Sequence, residues 1–129
     1  MALPETVDEK SFSYRDLLSK DEWSAFTPSF GSLTVVGATS YTGRYRIVGS
    51  QLQFQVKFSA ATSIASSAGT DYLTLPKTAN GSAGVAVMTD NTAKTAVGVC
   101  HIDVANSRCY LPTQTASAHV FTLCGSYEI

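Results

Sequence analysis

Between Gln51 and Phe58 the chain reads Gln-Leu-Gln-Phe-Gln-Val-Lys-Phe, a strict alternation of apolar and polar side chains. Successive side chains of a strand point to opposite faces, so Leu52, Phe54, Val56 and Phe58 face one way and Gln51, Gln53, Gln55 and Lys57 the other. A helix would scatter these apolar groups around its circumference; a half-buried antiparallel strand collects them. Tyr41–Val48 alternates too, with Tyr41, Tyr45 and Ile47 on one face, and Gly49-Ser50 supplies the glycine-first pair of a type II′ hairpin. The two runs are expected to pair.

Further strand-like runs occupy Leu33–Val36, Tyr72–Leu75, Val85–Thr89, Thr95–Ile102, Arg108–Leu111 and Val120–Tyr127, separated by turns rich in Gly, Asn, Asp or Pro. Pro76 and Pro112 mark strand ends or edges, because proline removes a backbone donor. Ser59–Thr70 offers only Ile64 for burial and reads as a surface loop. About eight short strands in one domain point to an all-β fold, an antiparallel sandwich or jelly roll. The 129 residues allow one compact domain, without heptads or internal repeats.

The first 22 residues differ from the rest. They hold six acidic residues (Glu5, Asp8, Glu9, Asp16, Asp21, Glu22) against Lys10, Arg15 and Lys20. Ser13 and Asp16 can cap a short helix on which Tyr14, Leu17 and Leu18 share a face. Two turns of helix do not persist alone in water, so this segment must dock on something. The expectation is an arm over residues 1–22, packed on its own domain or on a partner, ahead of a β domain over residues 23–129.

Composition narrows the function classes. With 15% charged residues, a net charge of −1 and about a quarter of the chain Ser or Thr, there is no Lys/Arg cluster of the kind that phosphate binding needs, and nucleic acid is not an expected partner. No apolar run reaches the length of a membrane helix, and the start lacks the basic end and apolar stretch of a signal peptide. Synthesis in a cytoplasm, without membrane insertion, is the expectation. Cys100, Cys109 and Cys124 are odd in number and lack C-x-x-C spacing, which points to free buried thiols and not to a disulfide framework or zinc cage.

Titratable groups that could carry chemistry are few. His101 and Asp103, at i and i+2, share a strand face, and His119 could join them only through tertiary contact. Cys100 and His101 are adjacent and so face opposite ways in a regular strand. No nucleophile elbow, phosphate-binding loop or H-E-x-x-H helix is present, and Asp71, Asp90, Asp103 and Glu128 suggest no glycosidase pair. The expectation is a protein that is not an enzyme, with no catalytic residues, metal or cofactor. Tyr41, Tyr45, Tyr72, Tyr110, Tyr127 and Trp23 could form a carbohydrate platform or fill the core. Arg44 and Arg46 share the polar face of one strand with the glutamines opposite, a ladder able to hydrogen-bond across a subunit interface at small desolvation cost.

One ordered set of motifs runs from Trp23-x-x-Phe26-Thr-Pro28 through Leu33-Thr-Val35, Thr42-Gly-Arg-Tyr-Arg46-x-Val-Gly49, the Leu52–Phe58 alternation and Tyr72-x-Thr-Leu-Pro76 to Phe121-Thr-Leu-x-Gly-Ser-Tyr127. This order resembles a β domain of tailed-bacteriophage virion proteins, known as minor tail, tail-fibre or head-fibre proteins. The likeness spans roughly Trp23 to Glu128. It departs at Cys124, where a small polar residue is usual, and residues 83–118 carry no family signature.

The resemblance implies a virion structural role and transfers no catalytic residues. It implies display as a homotrimer, with the arm as the attachment element and Phe12, Tyr14, Leu17, Leu18 and Trp23 as its partner-binding residues, set against the major capsid protein or another virion protein. A chain of this length has no room for a fibre shaft, so capsid decoration or a head fibre on the virion surface is the expectation. The alternative is a tail-associated receptor-binding module that recognises a host glycan.

Overall fold

The computed structural model describes residues 22–81 and 84–129. The expected arm helix, with Phe12, Tyr14, Leu17 and Leu18, lies outside the described residues. Among the described residues every regular element is a strand: β1 (Ser24–Phe26), β2 (Phe30–Gly31), β3 (Thr34–Val36), β4 (Thr39–Val48), β5 (Gln51–Ala60), β6 (Ser63–Ser66), β7 (Tyr72–Thr74), β8 (Gly84–Asp90), β9 (Thr95–Asp103), β10 (Arg108–Tyr110), β11 (Gln114–Ser117) and β12 (Phe121–Glu128). None of them is a helix able to cross a membrane.

Nine strands form one antiparallel sheet in the order β1-β4-β5-β12-β8-β9-β10-β7-β2, and three form a small sheet, β11-β6-β3. β5 lies at the heart of the large sheet. It pairs with β4 from Gln51↔Val48 to Ala60↔Thr39, and with β12 from Gln51↔Glu128 to Phe58↔Phe121. The β4–β5 hairpin turns at Gly49, whose φ is +63°, while Ser50 stays out of the positive region; a type II′ turn needs this pattern.

The alternation in β5 does what was expected of it. Leu52, Phe54, Val56, Phe58 and Ala60 are buried, while Gln51 and Lys57 are exposed and Gln53 and Gln55 partly so. Phe121, Leu123 and Tyr127 meet them from β12, and Met88, Cys100, Ile102, Cys109, Leu73 and Leu111 extend the same core along the sheet. The large sheet curls around this core: the Phe30 ring, on the strand at its far end, lies 4.9 Å from Phe58 and 5.1 Å from Tyr41. Phe58 in turn stacks on Phe121 at 5.6 Å.

Two segments correct the sequence reading. Ser59–Thr70 is not a loop throughout: Ser59 and Ala60 end β5, and Ser63–Ser66 is the central strand of the small sheet, with Ile64 fully buried. Its second inward position is Ser66, whose Oγ donates to the Pro112 carbonyl at 2.6 Å. A satisfied hydroxyl occupies the site where a hydrophobic pattern would place an apolar residue. β11 carries no hydrophobic period for a related reason, since its pairing with β6 shifts register between Gln114 and Ser117 and breaks the alternation.

The β8–β9 and β9–β10 hairpins share one device. Each begins on an aspartate and ends its loop on a non-glycine residue with positive φ, Lys94 (60°) or Ser107 (54°). Asp90 Oδ1 accepts from Thr92 N at 3.0 Å and Ala93 N at 2.9 Å; Asp103 Oδ1 accepts from Asn106 N at 3.4 Å. Carboxylates that cap their own turns in this way fix hairpins without glycine.

The segment after Pro76 is strapped to the end of β12. The buried Tyr127 hydroxyl donates to the Lys77 carbonyl at 2.8 Å and accepts from Lys77 N at 3.0 Å, and Asn80 N donates to the Glu128 carbonyl at 2.9 Å. Burial pushes the Tyr127 phenol up to about 12. Replacing Tyr127 with Phe leaves both Lys77 backbone groups short of a partner and should cost about 1–3 kcal/mol, whereas Phe58→Ala, which opens the centre of the core, should cost about 3–5 kcal/mol. Urea unfolding of the two variants against the parent chain measures both values; equal losses would contradict this ranking.

Candidate functional site

The pleat of β5 divides the large sheet into a core side and an outward side, and cross-strand register places residues from distant parts of the sequence in rows on the latter. One row runs Ala25, Arg44, Gln55, Cys124, Val87 and Val99. The next holds Arg46, Gln53, Ser126 and Val85. At one end of this face lie three exposed valines, with relative exposures of 57% (Val85), 44% (Val87) and 72% (Val99).

Trp23 stands at the other end. Its ring receives the Arg44 guanidinium at 4.6 Å and that of Arg46 at 4.8 Å, a double cation–π contact. The guanidiniums also grip the glutamines opposite: Arg44 Nε and Nη2 donate to Gln55 Oε1 at 2.9 and 2.6 Å, and Arg46 Nε to Gln53 Oε1 at 2.7 Å. The Arg/Gln stripe is therefore a locked in-chain ladder whose amide oxygens are already engaged, not a set of free acceptors awaiting a neighbour.

Between Trp23 and the valines runs an open groove of about 400 Å³, floored by Cys124, Gly125 and Ser126 of β12. Small side chains at these positions create the depression. Gly125 between them has the inward parity of Leu123 and Tyr127, and on the core side a Cβ would sit 2.7 Å from Phe54 Cζ, Ala86 Cβ and the Val85 carbonyl. A second concavity of about 320 Å³ adjoins it, lined by Thr42, Arg44, Gln55, Lys57 and Thr122 among others.

The cysteines divide by face. Cys100 and Cys109 are buried in the core and free. Contact with Cys100 and burial both push the Cys109 thiol far above its ordinary range, so it carries no thiolate. Cys124 is only partly buried, which corrects the expectation that all three thiols are enclosed; burial raises it, and Arg44 partly offsets the rise. In the native protein a maleimide should label Cys124 alone, with Cys100 and Cys109 reacting only in denaturant, as counted by intact mass.

The possible trio of His101, Asp103 and His119 does not assemble. His101 and Asp103 share the outward face of β9, and Cys100 beside them points into the core, as strand parity requires. His101 lies beside Tyr110, with ring centroids 6.4 Å apart, and Asp103 turns to Asn106. His119 sits in the connection before β12, where its Nδ1 meets Asp90 Oδ2 at 2.7 Å. Among the described residues no three His, Cys, Asp or Glu side chains come together as a metal site.

The Asp90–His119 contact belongs to a tie between two connections, since Asn91 N donates to the Val120 carbonyl at 2.8 Å and Asn91 Nδ2 to Thr122 Oγ1 at 2.6 Å. The Ala93 amide and His119 hold the Asp90 carboxyl below its ordinary value of 3.8, and the Asn106 side chain does the same for Asp103. Because these native values lie below the unfolded ones, the stabilisation is present above about pH 4 and is lost as pH falls through the native values. Acid titration of unfolding should show this loss, and Asp90→Asn should flatten it while lowering stability at neutral pH.

The tyrosines also separate. Tyr127 is core, and Tyr41 and Tyr45 pack against it from β4. Tyr72 and Tyr110 face outward on β7 and β10, in line with His101. No protein-family model, curated protein or solved structure was found to match this chain.

Proposed function

We propose that the protein is a structural component of a tailed-bacteriophage virion, a capsid decoration or head-fibre protein that binds the major capsid protein or another virion protein. On this reading the two sheets form an antiparallel sandwich or jelly roll, and the protein is displayed as a homotrimer on the virion surface after synthesis in the host cytoplasm. It acts by contact and not by turnover, with no cofactor, nucleic acid or membrane involved.

One observation carries the reading beyond the motif order: the valine patch of Val85, Val87 and Val99, continuous with the hydrogen-bonded Arg/Gln ladder. A contiguous exposed apolar patch rimmed by polar groups is the usual mark of a protein-binding surface. Covering these valines contributes on the order of 1 kcal/mol each, too little for a single firm contact. Symmetric repetition over a shell multiplies such contacts by avidity, and free energy gained only in the assembled shell stabilises it. Residues 1–22 provide a further attachment element that leads into Trp23, beside the groove.

The test mixes the purified chain with matching capsids stripped of accessory proteins, followed by sedimentation and imaging. Symmetric decoration is expected, with binding at least ten-fold weaker for Val87→Asp and abolished by deletion of residues 1–22. Capsids left bare by the parent chain, or decorated equally by Val87→Asp, would refute this assignment of the face.

A further inference from the structure

Beyond β9 the outward face changes character. Register aligns His101, Tyr110, Tyr72 and Gly31 in one row across β9, β10, β7 and β2, with Asp103, Arg108 and Thr74 in the adjacent row. The Tyr72 and Tyr110 rings meet edge to face at 5.6 Å, and Tyr110 and His101 lie nearly parallel at 6.4 Å. None of these rings belongs to the hydrophobic core.

The row is held in place before any ligand arrives. Gly31 is what admits the Tyr72 ring, since a Cβ there would lie 2.2 Å from Tyr72 Cζ. The Arg108 guanidinium lies over the same ring at 4.1 Å and reaches the Tyr110 hydroxyl through Nη1 at 3.4 Å. Asp103 Oδ2 accepts from Asn106 Nδ2 at 2.8 Å, which fixes the carboxylate at the border of the row. Side chains already ordered lose little entropy on binding.

We infer that His101 and Tyr110, positioned by a Tyr72 ring held between Gly31 and the Arg108 guanidinium and bordered by Arg108, Asp103 and Asn106, form a binding site for a neutral carbohydrate. A pyranose presents an apolar C–H face and a rim of hydroxyls. Aromatic rings match the first, and planar charged or amide groups, which donate and accept in pairs, match the second. Arg108 and Asp103 sit opposite each other across β10 and β9 and balance in charge, so the site lacks the surplus of cations that an acidic sugar would require. This inference does not rest on capsid attachment: it uses β9, β10 and β7, and the valine patch meets it only along β9.

The test applies the full chain to an array of immobilised oligosaccharides, some neutral and some carrying sialic or uronic acids, and titrates the best neutral binder by calorimetry. Saturable binding to neutral sugars is expected, at least ten-fold weaker for Tyr110→Ala and His101→Ala and largely retained for Tyr110→Phe. Val87→Asp should bind as the parent does. His101 is exposed, so His101→Ala reads the loss even if Tyr110→Ala fails to fold. Absence of neutral-sugar binding, binding confined to acidic sugars, or affinity unmoved by His101→Ala would each overturn the assignment.

Discussion

Everything in this fold hangs on one strand that is paired along both edges and buried along one face. β5 satisfies its backbone through ten residue pairs with β4 and eight with β12, while its five inward side chains form the floor of the core. A one-residue slip would turn Leu52, Phe54, Val56 and Phe58 to solvent and drive glutamines and a lysine inward, so the hydrophobic effect holds the register firmly. Both outward surfaces inherit that precision. The groove beside Trp23 exists because β12 brings Cys124, Gly125 and Ser126 against Gln55, Phe54 and Gln53.

How much of this was legible follows from where the information resides. The β4–β5 hairpin could be read because its pattern uses large apolar groups and its turn uses glycine. β6 could not, because an inward serine bonded to the Pro112 carbonyl carries no hydrophobic signal. β1 and β2, of three and two residues, are too short for any period to appear. Parity within β9 correctly put His101 and Asp103 together and Cys100 opposite, yet it could not reveal that His119 would choose Asp90. Pairings between loops depend on the path of the chain, not on local spacing.

The same limit applies to the surfaces. Sequence placed Arg44, Arg46 and the glutamines on one face, but only the geometry shows that Trp23 lies under both guanidiniums and that their amide partners are taken. Tyr72 and Tyr110 are far apart in the chain and become neighbours because β7 and β10 pair. The sheet thereby supports two surfaces of different chemistry, an aliphatic patch beside an Arg/Gln ladder on Trp23 at one end and a His/Tyr row bordered by an arginine and an aspartate at the other. A curled sheet can present both without either intruding on the core, since their residues share only the outward parity.

The position of β12 has a consequence for how the chain reaches this state. It is the last of the described strands in chain order, yet it is inserted between β5 and β8 and supplies Phe121, Leu123 and Tyr127 to the centre of the core. Until it arrives, β5 and β8 each present an open edge and β5 a bare apolar face. Closing so large a loop costs entropy before the contacts repay it, so folding should be slow for a domain of this size and completion of the core should wait for β12. A chain in that interval offers two unpaired edges to its neighbours, so exposure to misassembly by edge pairing is greater before β12 docks than in the finished fold.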